Sequence, residues 1–114
     1  MKRISKELMG ASSIPIILSI LEHGDSYGYE IMQKVRTLSK GTIEWKEGSI
    51  YPVLKKLENT GLIESYWNVE GVQRPRKYYA IKKDGKKQLQ REIEEWTCIN
   101  NLFGVLWDKQ ISSS

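Results

Sequence analysis

The chain has little of the material that several protein classes need. Cys98 is the single cysteine among 114 residues, which excludes an internal disulfide framework and fits a reducing compartment. His23 is the single histidine, so we expect no metal site and no cofactor. No nucleophile, base and orienting residue follow a recognisable spacing, and no glycine-rich phosphate loop is present. These absences predict a protein that is not an enzyme.

Long hydrophobic runs are also missing. The longest, Ile14 to Leu21, contains Pro15 and Ser19 and is far shorter than the roughly 20 apolar residues that span a bilayer. The residues after Met1 are polar rather than apolar, unlike an export signal. We therefore expect a cytoplasmic protein of one domain, or of one domain and an accessory helix, with no membrane partner.

Positive charge is modest in total but unevenly distributed. The formal net charge is +4, and the stretch from Arg74 to Arg91 holds eight Lys or Arg residues against the single Asp84. Clustered cations fit a phosphate backbone, whose binding releases counterions. On charge alone, a solvated and solubilising surface explains the stretch equally well.

The stretch from Glu47 to Ile81 carries the most specific pattern. Ile50, Leu54 and Leu57 recur at helical spacing, and Gly61 is a typical helix stop. The opposite side of this helix carries polar and basic residues suited to base edges and phosphates, namely Ser49, Pro52, Lys55, Lys56 and Asn59.

Two strand-like runs follow that helix. The first passes through Tyr66 and Trp67, a loop covers Val69 to Pro75, and Arg76 to Ile81 forms the second. A helix followed by a hairpin with a basic tip is the order of a winged helix-turn-helix. The pattern therefore predicts DNA binding.

Two further helices are predicted upstream. The first spans Ser13 to His23 with Pro15 in its first turn, or begins near Lys6 with Pro15 in its interior; we expect a kink or a break at the proline. The second begins after a capping Asp25 or Ser26 and ends near Ser39. Its inward residues are Ile31, Val35 and Leu38, and Trp45 seals the core beyond it.

A last helix is predicted from Lys83 to Trp107. Its seam has alternating spacings of four and three, as in helices that pack against another helix; the seam residues are Leu89, Ile93, Trp96, Asn100, Phe103 and Trp107. We therefore predict an α+β, mainly helical fold. It comprises a winged helix-turn-helix domain (residues 1–82) and a C-terminal dimerisation helix (residues 83–114).

Three motifs together resemble the PadR family of bacterial transcriptional repressors. They are Ser26-Tyr27-Gly28-Tyr29-Glu30-Ile31, Gly48-Ser49-Ile50-Tyr51-Pro52 with Gly61-Leu62-Ile63, and Arg74-Pro75-Arg76-Lys77-Tyr78-Tyr79. Their order and separation make the likeness specific. The short C-terminal part is similar to the small subfamily with one long dimerisation helix, which includes a lactococcal multidrug-responsive repressor.

The resemblance implies a homodimer that binds a double-stranded DNA operator. Ser49, Tyr51, Pro52 and Lys55 would then lie nearest the major groove, although Tyr51 is equally compatible with a half-buried core position. Arg74, Arg76 and Lys77 would track phosphates or enter a narrow minor groove. Their structural alternative is a charged edge strand that discourages aggregation.

The same resemblance implies a site for a planar aromatic effector between the subunits. Trp96 would stack against the ligand. Leu8 and Ala11 match pore-lining positions, and Ile93 and Asn100 flank Trp96 on the same helical side. The alternatives are a Trp96 that is simply core, a sensor of phenolic acids, and a winged-helix protein-interaction module that does not bind specific DNA.

Overall fold

The computed structural model describes residues 4–71 and 74–108. Within these residues the chain forms four helices and one three-stranded sheet, so the predicted α+β, mainly helical winged-helix fold is confirmed. In chain order the elements are α1 (Lys6–His23), β1 (Ser26–Tyr27), α2 (Gly28–Leu38), α3 (Glu47–Asn59), β2 (Ile63–Asn68), β3 (Arg76–Ile81) and α4 (Lys83–Trp107).

Of the two predicted starts of helix α1, the structure has the earlier one, at Lys6, and not the start at Ser13. Ser5 is the N-cap and its side chain accepts a hydrogen bond from the backbone N–H of Leu8. The helix continues through Pro15 without a break, so the alternative start near Lys6 is confirmed, a break at the proline is wrong, and the kink stays a prediction. A proline removes only one helical hydrogen bond directly. Burial of Ile17, Leu18 and Leu21 on the next turns holds the helix in place.

Helix α2 also begins differently from the prediction. Ser26 lies in β1 opposite Tyr79, and the N-cap position of α2 is Tyr27, whose side chain makes no capping hydrogen bond. The predicted cap by Asp25 or Ser26 is therefore wrong, because pairing with the sheet fixes this segment instead. Leu38, predicted inward, is 78% exposed.

The core lies where α1, α2 and α3 meet the inner face of the sheet. Ile31 and Val35 of α2 are buried as predicted, and Trp45 seals the core before α3. We call the part of the chain up to Leu89 the head. Its other buried apolar residues are Ile17, Leu18, Ile20, Leu21, Ile50, Leu54, Leu57, Ile63, Tyr79 and Leu89.

Helix α3 turns sharply into the hairpin. Gly61 has a φ of 81° and donates to the Glu58 carbonyl, while Leu62 donates to the Leu57 carbonyl, which is the Schellman pattern that favours glycine. Strands β2 and β3 then pair antiparallel, from Ile63 opposite Ile81 to Asn68 opposite Arg76. We call this hairpin the wing and its Asn68–Arg76 end the wing tip. The predicted glycine stop and the bounds of β3 are confirmed.

Helix α4 has the predicted bounds. At its start, Gly85 lies so close to the Leu62 carbonyl oxygen and the Ile81 side chain that a methyl group there would collide with both. Leu89 is buried, but beyond it the helix leaves the head and its apolar residues are largely exposed. The last six residues of the predicted dimerisation segment, 109–114, lie outside the described part of the chain.

Candidate nucleic-acid interface

Helix α3 presents a polar face directly opposite its buried stripe. Pro52 and Lys55 are exposed near the middle of this face, because a step of 100° per residue places them away from Ile50 and Leu54. Ser49 lies on one flank and Tyr51 on the other. The four residues predicted to lie nearest DNA therefore share one surface, but only two occupy its centre.

Tyr51 has a structural contact as well as an exposed edge. Its side chain is 41% exposed, and its ring lies against Gly28, where an added Cβ would be 2.5 Å from the Tyr51 hydroxyl oxygen. Partial burial raises the pKa of the Tyr51 hydroxyl, and the nearby Glu47 carboxylate raises it further. The half-buried interpretation of Tyr51 is therefore confirmed: its ring packs α3 against the start of α2, and part of the side chain stays exposed.

Helix α3 begins at Glu47, two residues before Ser49. Lys46 occupies the N-cap position without a side-chain cap, and Ser49 is already the third helical residue. Pro52 is therefore interior, where it has no N–H to donate to the Gly48 carbonyl. Its ring nevertheless remains on the exposed face, available for an apolar contact.

The three wing cations have different surroundings. Arg74 lies exposed at the tip. Arg76 and Lys77 are consecutive in β3, so their side chains point to opposite faces of the sheet. Arg76 donates from Nη1 to the Tyr27 hydroxyl at 3.0 Å, whereas Lys77 Nζ lies 3.9 Å from a Glu58 carboxylate oxygen. The fold thus spreads these cations instead of bringing them together.

Glu58 connects α3 to the wing. Its other carboxylate oxygen accepts a hydrogen bond from the Ser65 hydroxyl at 2.5 Å, beside the contact with Lys77. Its partners lie seven or more residues away in β2 and β3, so the helical periodicity carried no signal of this role.

The basic stretch from Arg74 to Arg91 divides into two parts. Strand β3 has six residues, which span roughly 20 Å at the usual rise. Lys83 and Lys87 in the first turns of α4 are therefore well separated from the wing tip. The charge cluster seen in the sequence is not one continuous surface, and the wing holds its first part.

The proposed effector residues lie on α1 and α4, two helices that contact each other within the subunit. Trp96 is half-buried, and the other four are exposed: Leu8, Ala11, Ile93 and Asn100. A groove of about 640 Å³ lies elsewhere, between α1, Trp45 and α3, and is lined by none of these five residues. A ligand beside Trp96 would therefore be enclosed only if another protein chain covered this surface.

None of the described helices is both long and apolar enough to cross a membrane.

Comparison with known proteins assigns the family. The model of the "Transcriptional regulator PadR-like family" matches residues 17–91. A transcriptional regulator structure from Clostridium thermocellum is 33% identical, with a TM-score of 0.80 over 87% of this chain and 96% of that one. A PadR family regulator from Clostridium difficile is 36% identical, with a TM-score of 0.74 over 84% and 98%.

A curated relative points the same way. The negative transcriptional regulator PadR of Bacillus subtilis is 32% identical over 73 residues, which cover 64% of this chain and 40% of that protein. All three relatives are named as transcriptional regulators. The match over the head, in sequence and in fold, shows that the chain belongs to the PadR-like family of transcriptional regulators.

Proposed function

We propose that the protein is a homodimeric repressor that binds a pseudo-palindromic, A·T-rich DNA operator. One observation carries the proposal. Pro52 and Lys55 lie exposed at the centre of the polar face of α3, and Arg74 lies exposed at the wing tip of the same head. An α-helix fits the width of the major groove, and an exposed arginine suits phosphates or a narrow minor groove. The name of the Bacillus relative, a negative regulator, supports repression.

The test begins by selecting binding sites from random duplexes and measuring affinity by fluorescence anisotropy over a range of salt concentrations. Lys55→Ala should weaken binding about tenfold or more, and Arg76→Ala should reduce the salt slope by about 1 for each phosphate that the arginine neutralises. Lys87→Ala removes the same charge from the start of α4 and should change little.

Two results would contradict this assignment. Equal effects of Lys55→Ala and Lys87→Ala would mean that total charge matters and that α3 is not the reading surface. Binding to phosphates is strongest at low salt. If the unmodified protein binds no duplex even under that condition, a winged-helix protein-interaction module becomes the better explanation.

The homodimer is supported by the outer half of α4. Its apolar side chains lie beyond the head and are exposed in the single chain; they are Ile99, Leu102, Phe103, Val105, Leu106 and Trp107. Monomeric soluble proteins rarely leave so continuous an apolar surface uncovered. A second copy supplies an identical helix, and two DNA heads match an inverted repeat.

Sedimentation measures this association. The unmodified protein should sediment as a dimer, and Leu102→Glu should shift it towards monomer because the carboxylate would be buried without a partner. Asn101→Glu, which adds the same carboxylate at an exposed position about 100° round the helix from Leu102, is the matched control and should remain dimeric. A monomeric unmodified protein would overturn the homodimer.

We further propose that a planar aromatic effector binds between the two subunits beside Trp96, with Leu8, Ala11, Ile93 and Asn100 around it. The half-buried Trp96 side chain supports this, since part of its surface remains accessible for stacking. Effector binding would release DNA only if the ligand prefers the form whose heads no longer match the operator.

Tryptophan fluorescence tests the effector site. Because the chain has four tryptophans, single Trp→Phe variants are needed to assign the emission to individual residues. Planar dyes should quench the emission of the unmodified protein and of Trp67→Phe, whereas Trp96→Phe should lose most of that quenching. Quenching that is equal in both variants would remove Trp96 from the site. Phenolic acids tested beside the dyes would distinguish the two effector classes.

A further inference from the structure

The outer face of the wing sheet carries a row of three tyrosines. Tyr27, Tyr78 and Tyr66 lie directly opposite one another across β1, β3 and β2. The Tyr27 and Tyr78 ring centroids are 5.2 Å apart, and those of Tyr66 and Tyr78 are 5.8 Å apart. Cross-strand aromatic pairs of this kind stabilise a sheet. The row also extends from the segment between α1 and α2 into the wing.

Arg76 lies at the Tyr27 end of this row and makes two contacts with the same residue. Its Nη1 donates to the Tyr27 hydroxyl at 3.0 Å, and its guanidinium carbon lies 4.6 Å from the centre of the Tyr27 ring. The two residues are 49 positions apart in sequence. The contact therefore fixes a wing side chain relative to a different part of the head.

These contacts leave the arginine chemically available. A guanidinium has five N–H donors, and the hydrogen bond to Tyr27 uses one of them. An arginine side chain also has rotamer entropy, part of which is lost when it binds a phosphate. A side chain that is already oriented loses less on binding, which strengthens the complex without adding a contact.

Lys77, its neighbour, offers a comparison. It faces the other side of the sheet, and its ammonium group lies at 3.9 Å from Glu58, a long ion pair at an exposed position. Such pairs contribute little. Lys77 also lies over a ring, that of Tyr79, but at the longer distance of 5.8 Å. Of these two strand cations, Arg76 is the one held by both a hydrogen bond and the closer ring.

We propose that Tyr27 is a positioning residue for DNA binding, which holds the Arg76 guanidinium in the orientation that the wing presents to the duplex. This inference rests on the proposed function. It gives the motif from Ser26 to Ile31 a role in DNA binding. Tyr27 acts through Arg76, so removal of the tyrosine should matter only while the arginine is present.

A double-mutant cycle tests this dependence with the duplex selected above. Tyr27→Leu should weaken binding roughly threefold to tenfold in the natural background and less than about twofold in the Arg76→Ala background. Tyr27→Phe keeps the ring and should show a smaller loss than Tyr27→Leu. Tyr66→Phe is the matched control, because it removes a hydroxyl on the same face that donates to Asp25 rather than touching Arg76.

The outcomes are distinguishable. Equal losses from Tyr27→Leu in both backgrounds, or no loss in either, would overturn the positioning role. Arg76→Lys, which keeps the charge but not the planar fork, should weaken binding about as much as Tyr27→Leu; full binding by this variant would also count against the proposal. Failure of the unmodified protein to bind any duplex would instead overturn the proposed function and this inference with it.

Discussion

The close approach at Gly85 gives a sharp test of how α4 is attached to the head. A Cβ at this position would collide with the Leu62 carbonyl oxygen and come within 2.8 Å of the Ile81 Cγ1 atom. The carbonyl also accepts a hydrogen bond from Lys82 at 2.9 Å, so it cannot turn away without breaking that bond. The Gly85→Ala variant must therefore displace the whole start of α4.

The magnitude follows from two opposing effects. Overpacking against rigid neighbours costs about 3 kcal/mol, whereas alanine in place of glycine inside a helix gains about 1 kcal/mol. The net loss for Gly85→Ala is thus about 2 kcal/mol in the free energy of unfolding. Gly48→Ala, in the first turn of α3 with nothing within 4 Å of the added carbon, should gain up to about 1 kcal/mol.

Urea denaturation followed by tryptophan fluorescence measures both variants. At one protein concentration, because association affects the midpoint, Gly85→Ala should lower the urea midpoint by roughly 1 M and Gly48→Ala should raise it slightly. Opposite signs for the same chemical change would confirm that packing decides the outcome. A Gly85→Ala variant as stable as the natural protein would refute the close approach of α4 to Leu62 and Ile81.

Three further predictions concern stability. Leu54→Ala, at a fully buried position, should lower the free energy of unfolding by about 2–5 kcal/mol in urea denaturation. Pro15→Ala restores a helical N–H inside α1 and should raise the melting temperature; a lower one would mean that the proline ring packs usefully. Burial raises the pKa of the Tyr79 hydroxyl, so the folded state keeps a proton that the unfolded state loses. Stability should therefore fall as pH rises above about 10, and Tyr79→Phe should lessen that fall.

Agreement between prediction and structure follows the range of the forces involved. The spacing of apolar residues predicted the buried stripe of α3 and the bounds of α4, and a run of aromatic and β-branched residues predicted the bounds of β3, because each pattern lies within one continuous segment. Gly61 was predicted for the same reason, since a left-handed residue after a helix favours glycine locally. The helix starts were less predictable: sheet pairing of Ser26 replaced its expected capping role.

The sequence by itself thus determined the order of elements, the polar face of α3 and the presence of cations in the wing. Tertiary structure alone decided which of these groups meet. Tyr27 reaches Arg76 across 49 positions, Tyr51 fits over Gly28, and Gly85 admits the Leu62 carbonyl. Such contacts depend on the shape left between elements that are distant in the chain, and no local pattern of residues records that shape.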